Sequence, residues 1–265
     1  MNLSETTKYL IFAAVMTTPL QAAYASVPQT LIERLTRTEA VNIESIISAQ
    51  FGPVEIEEGF GVADPYDAQS APVVQRWMED ETRATEVCAV RFIDPDRSGY
   101  ELRRFTSSGK AEESGFIVTH QGRCGSCSTL EDLAIYLSVP DLTTPARQCA
   151  RRFGINAKKR CFHESIGLTP YCSESWAYNA SNTRRECLGT CISDYGFFNL
   201  LFRRYPGPNT DENGQLRSCL QCDEETSGPG FKYSAGRTRR NSGIQSAIRR
   251  SESEKFPVDH SAYFP

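Results

Sequence analysis

Beyond residue 25 the 265-residue sequence has no run apolar enough to span a bilayer. It has no internal repeat, so a solenoid or repeat array is not indicated. It also has no long block of one charge sign. The net charge is −4, with acids crowded between Glu55 and Asp67 and a basic stretch at Arg237, Arg239, Arg240, Arg249 and Arg250. Blocks this short do not point to a nucleic-acid partner. No cysteine precedes Cys88, so everything before it must be held by packing alone.

Ten cysteines are present, nine of them between 124 and 222. At the N-terminus, Lys8 precedes an apolar run from Tyr9 to Met16, and Ala23-Tyr24-Ala25 follows as a small-residue site. This pattern is expected to be a signal peptide (1–25), cleaved before Ser26. It sends the chain out of the cell, or into a secretory lumen or a bacterial periplasm. In such a compartment an even cysteine count implies five disulfides. The roughly 240 residues left after cleavage can also build a true core, so the bridges supplement packing and do not replace it.

The expected fold class is α+β, with a small antiparallel sheet and a disulfide-stapled, mainly helical region. Residues 26–85 read as an N-terminal helical segment and acidic linker, 86–248 as the disulfide-rich domain, and 249–265 as a polar tail, loose apart from Phe256 and Tyr263. Leu31, Ile32, Leu35, Val41, Ile43, Ile46 and Ile47 recur at roughly helical spacing. Pro72, Val73, Val74, Trp77 and Met78 suggest a short amphipathic helix. Strands are expected at Val87–Ile93, Tyr100–Phe105 and Gly115–Thr119, joined as a meander by turn-rich segments.

Further on, Ser128 with Glu131 three positions later has the form of a capping box. Thr144-Pro145 and Thr169-Pro170 are helix starts, the second opening a long helix with Cys172, Trp176, Asn179, Thr183, Cys187 and Cys191 near one face. Asn179 heads a glycosylation sequon, but a sequon on a packed helical face is a poor acceptor. A strand is expected at Phe231–Tyr233.

The chemistry-bearing stretch is His120-Gln121-Gly122-Arg123-Cys124-Gly125-Ser126-Cys127-Ser128, between a strand and a helix. Its segment from Gln121 to Cys127 resembles the active-site signature of papain-family cysteine proteases. That resemblance implies Cys127 as nucleophile, Gln121 as oxyanion donor and Cys124 as a structural half-cystine, with His260 as the available base. The family pattern places an aromatic residue where this chain has Ser128, and only five residues follow His260. A Cys-x-x-Cys between strand and helix also resembles thioredoxin-like oxidoreductases, which implies thiol–disulfide exchange by Cys124 and Cys127. His120, Cys124, Cys127, Cys219 and Cys222 have metal-ligand spacing as well, although exported thiols usually oxidise.

Composition and compartment favour static bridges throughout. The expected function is therefore a non-catalytic extracellular binding or structural module, with a cysteine-centred enzyme built on Cys127, Cys124, Gln121 and His120 as the alternative. No cofactor or resident metal is expected. Arg237, Arg239 and Arg240 are the candidate contacts for an anionic ligand or an extracellular partner.

Overall fold

The computed structural model describes residues 27–52, 60–248 and 251–265. The expected signal peptide and most of the acidic run lie outside the described residues, as do Arg249 and Arg250.

The apolar spacing read as one N-terminal helix resolves into two helices, α1 (Gln29–Leu35) and α2 (Ile43–Phe51), separated by a two-residue strand, β1 (Glu39–Ala40). Asn42 explains the break. Its side-chain amide accepts from Leu102 N–H and donates to Leu102 C=O, both at 2.9 Å, so it imitates one more peptide of the ladder that β1 forms. Asn42 then occupies the N-cap position of α2. Helix α3 (Ala71–Glu79) starts with proline in its first turn, as the sequence predicts.

The sheet contains β1, β2 (Val87–Phe92), β3 (Gly99–Phe105) and β4 (Ile117–Gln121), in the order β1-β3-β2-β4. β2 is flanked antiparallel by both β3 and β4, whereas β1 lies parallel to β3. A meander would set β4 beside β3. Instead, a short helix α4 (Ser108–Glu113), capped by Ser107, occupies the segment expected to be a turn and carries the chain to the far side of β2. β2 is consequently the most buried strand, with Val87, Cys88, Ala89 and Val90 all inside.

The helical region comprises α5 (Leu130–Ser138), α6 (Thr143–Ala150), α7 (Ile155–Cys161), α8 (Pro170–Tyr195), α9 (Phe197–Leu201), α10 (Ser218–Thr226) and α11 (Gly228–Ala235). The cap of α5 is Thr129 and not Ser128, with Asp132 in place of Glu131 as its partner three positions on. Asp132 also accepts from the N–H and hydroxyl of Thr169, the cap of α8, at 2.8 Å each. One buried carboxylate thus ties two helix starts together, and burial pushes its pKa up to about 6. Residues 231–233, expected as a strand, belong to α11, which Pro229 opens at its first turn.

Five disulfides join Cys88–Cys124, Cys127–Cys172, Cys149–Cys161, Cys187–Cys222 and Cys191–Cys219, leaving no cysteine free. The first fastens β2 to the loop after β4, and the second fastens that loop to α8. The last two staple α8 to α10. Ile32 and Leu35 share one core with Val90, Leu102, Leu133, Phe162 and Leu168, so the cysteine-free N-terminus is held by apolar burial. Within the described part of the acidic run, the N–H groups of Gly61 and Val62 both donate to Glu174 on α8 at 2.7 Å.

The C-terminal tail, expected to be loose apart from Phe256 and Tyr263, is docked through Tyr263 and its neighbours. Tyr263 is fully buried and its hydroxyl donates to Thr119 Oγ1 at 3.0 Å, while Arg97 donates to its carbonyl. Phe264 packs on Phe92 with ring centroids 5.4 Å apart. Nearby, His260 donates from Nε2 to Ser242 C=O at 2.8 Å, leaving a buried Nδ1 with no partner.

Burial holds the His260 pKa down to about 4. Because this lies below the unfolded value near 6.5, the unfolded chain takes up the proton first as pH falls. Stability is therefore lost from about pH 6.5 down to pH 4, by about 3 kcal/mol for this group. Asp132 works in the opposite direction below pH 6, since its folded pKa is raised. His260→Asn should show a shallower loss of stability between pH 7 and pH 4.5 than the wild type in denaturant titrations. Identical pH dependence in the two proteins would rule the His260 contribution out.

Candidate functional site

The Cys124-Gly125-Ser126-Cys127 loop is fully engaged in structure. The N–H groups that could polarise a thiolate or an oxyanion are spent: Gly125 on Ser128 Oγ at 2.8 Å, Ser126 on Ser234 C=O at 2.9 Å and Cys127 on Ala235 C=O at 2.8 Å. The last two acceptors are carbonyls at the C-terminal end of α11, so the loop closes a helix end that would otherwise lack donors. Cys124 and Cys127 sit in separate bridges, to Cys88 and Cys172, so the Cys-x-x-Cys does not close on itself and holds no thiol. Cys219 and Cys222 are likewise bridged, to Cys191 and Cys187.

The other residues of this group are equally committed. Gln121 directs its amide away from the loop, to Ala84 C=O at 2.7 Å. His120 is completely buried, with Nδ1 3.0 Å from Gln121 C=O and Nε2 2.8 Å from Ser128 Oγ. A carbonyl can only accept, so Nδ1 carries the proton and Ser128 donates to Nε2. Burial, with the Arg237 guanidinium nearby, drives the His120 pKa well below the ordinary value. This serine–histidine pair is sealed from solvent and neither member lines the cleft described below.

The first arginine of the basic segment is also internal. Arg237, completely buried, donates to Cys127 C=O (3.0 Å), Ser128 C=O (3.0 Å), Thr119 C=O (3.2 Å) and Thr119 Oγ1 (2.6 Å). Its anion is replaced by a cage of carbonyl and hydroxyl oxygens joining β4, the cysteine loop and, through Thr119, the C-terminal tail. Arg239 donates to Gln245 C=O at 2.8 Å and to Val139 C=O, and Arg240 pairs with Glu224. Arg237 is thus a structural tie out of reach of any ligand, whereas Arg239 and Arg240, although tied to the fold, remain half-buried.

The open concavity lies elsewhere. A cleft of about 730 Å³ runs along α8, walled by α6, α9 and α10 and floored by Tyr136, Phe162, Trp176 and Phe231. This volume falls in the usual range for small-molecule sites. From α8 it is lined by Trp176, Ala180, Thr183, Leu188, Ile192 and Tyr195. Trp176 is locked between Phe162 (5.7 Å) and Phe231 (5.1 Å) and donates from its ring nitrogen to Tyr136 Oη at 3.1 Å.

Three polar features interrupt the apolar walls. Arg147 lies 4.4 Å from the centroid of Tyr205 and donates to Tyr195 Oη at 3.1 Å. Arg239 lines the opposite side. Asp223 takes hydrogen bonds from Thr183 and Asn179, and burial raises its pKa. The Cys187–Cys222 and Cys191–Cys219 bridges fix the α8–α10 wall, and Cys149–Cys161 fixes α6 against α7.

Residues 155–258 match a family of unknown function (DUF8771). This segment carries α8, α10 and α11, and so most of the cleft. No curated protein and no solved structure matches the chain. The sequence does not announce the cleft: the α8 face it marks by Cys172, Trp176, Asn179, Thr183, Cys187 and Cys191 overlaps the lining only in part, and its cysteines suggested packing against neighbours. One signal was available: Phe197-Phe198-Asn199-Leu200-Leu201-Phe202, a dense apolar run just past the end of α8, is more than a surface helix of five residues needs.

Proposed function

We propose that this chain is an exported, non-catalytic binding module that takes an elongated apolar or amphipathic small molecule into the cleft along α8. The observation that carries this reading is a rigid, disulfide-framed concavity with aromatic floor and apolar walls, in a chain whose cysteines, His120 and Arg237 are all consumed by structure. Burial of hydrocarbon there would supply the affinity, at about 0.8 kcal/mol per methylene. Arg147 and Arg239 supply the polar contacts that orient a ligand in an otherwise greasy site.

The test is equilibrium dialysis of labelled straight-chain acyl compounds of 8 to 18 carbons against the secreted protein. Each added pair of methylenes should tighten Kd by roughly tenfold until the cleft is filled. Ala180→Leu, which projects into the cleft from α8, should weaken binding of the longest chains by at least tenfold with little change in thermal stability. No saturable binding at any chain length, or binding indifferent to Ala180→Leu, would falsify the reading.

A further inference from the structure

The mouth of the cleft is surrounded by apolar side chains left exposed among the described residues. Phe153 is 85 % exposed, Phe198 69 %, Phe202 62 % and Phe197 56 %, with Leu201 and Leu188 at about half. Phe153, Leu188, Phe197 and Leu201 all line the cleft, so these residues, drawn from three separate segments, form one continuous patch around its entrance. Soluble chains rarely leave so many large rings together in water without a partner for them.

Charge around the patch has one sign. Arg152 precedes Phe153, Arg184 holds its guanidinium 5.6 Å from the centroid of the Phe153 ring, and Arg203 and Arg204 follow Phe202 directly. All four are exposed, and none forms an ion pair among the described residues. The nearby carboxylates are already taken: Glu186 pairs with Arg185, and Asp194 with Arg217.

We infer that this face docks on an anionic lipid bilayer, with Phe198 and Phe202 entering the boundary between headgroups and acyl chains and the four arginines resting among the headgroups. Rings that penetrate a few ångströms beneath a collar of cations are the arrangement that holds a protein in a membrane interface without spanning it. In the docked orientation the cleft opens toward the acyl layer, so a ligand can pass between bilayer and cleft without crossing water. That last step rests on the acyl-binding reading above, whereas the docking itself does not.

The experiment is vesicle flotation of the full secreted chain, comparing phosphatidylcholine vesicles with vesicles containing 30 % phosphatidylserine. Partitioning is expected to rise at least tenfold with phosphatidylserine and to fall steeply when salt is raised to about 0.5 M. Phe198→Ser with Phe202→Ser should reduce partitioning at least tenfold. Neither residue lines the cleft, so dialysis binding of acyl chains should be unchanged, which separates this inference from the reading of the cleft. Arg203→Ala and Arg204→Ala should each cost about fivefold on the anionic vesicles and little on the neutral ones. Absence of partitioning onto the anionic vesicles, or equal partitioning by the Phe198/Phe202 variant, overturns the inference. So does a concentration-dependent dimer that this variant abolishes, since the patch would then be covered by a second copy.

Discussion

Arg237→Met is expected to destabilise the fold by about 4 kcal/mol, a large share of the total stability of a domain this size. The substitution keeps much of the aliphatic stem but removes the donors that satisfy Cys127 C=O, Ser128 C=O and both oxygens of Thr119. Each carbonyl left unpaired in the interior costs about 1–3 kcal/mol. Arg237→Lys should recover only part of the loss, because one ammonium cannot reach acceptors spread over the fork of a guanidinium. Denaturant titration of the three proteins decides the matter. A loss below about 1 kcal/mol for Arg237→Met, with weaker retention on an anionic matrix, would return Arg237 to the surface role that the sequence suggested.

Gly125→Ala should be equally damaging for a steric reason. A Cβ there would lie 2.7 Å from both Ala235 C and Gly236 N, and would also strike Ser234 C=O. All of these are backbone, held by the Ser126 and Cys127 N–H bonds to the end of α11, so nothing can swing aside. Gly236 mirrors the constraint: it sits at φ +73°, and a Cβ on it would be 2.6 Å from Gly125 N. Where the cysteine loop crosses the end of α11, only two facing glycines allow the backbones to approach. A loss of about 3 kcal/mol or more is expected, read as a collapse in secreted yield and in the denaturation midpoint. Gly109→Ala, where a Cβ meets nothing within 4 Å, serves as the control and should be close to neutral. Wild-type yield and midpoint for Gly125→Ala would show that the two loops are not in contact as described.

These two positions also show why the same residues misled at the level of sequence. Gln121 to Cys127 has the composition of a thiol active site, and Gly236 to Arg240 that of an anion contact. In three dimensions the two stretches meet each other: Arg237 donates to Cys127 and Ser128, and Gly236 packs on Gly125. A donor-rich segment and an acceptor-rich loop, each reading alone as a site waiting for a ligand, satisfy one another. Their separation of about 110 residues hides this from any local pattern.

Features that rest on short-range chemistry were legible. Thr169-Pro170 sets the start of α8 because a hydroxyl cap and a proline at the first turn act within four residues. The helix at 71–79, the strands at 87–92 and 99–105, and the disulfide-stapled α+β class follow from periodicity and composition in the same way. Misreadings came where a distant partner outweighs local preference. Asn42 interrupts the N-terminal apolar pattern and caps α2 because Leu102 is there to receive it, and the tail is ordered around Tyr263 because Thr119 and Arg97 take it.

The sequence by itself determined the α+β class and the starts of α3 and α8, since capping and periodicity are properties of neighbouring residues. Tertiary structure alone decided how the ten cysteines pair and which arginines are buried. It also decided where a cleft is left open, because a cavity is the space between elements that pack from opposite sides, and no residue encodes it singly.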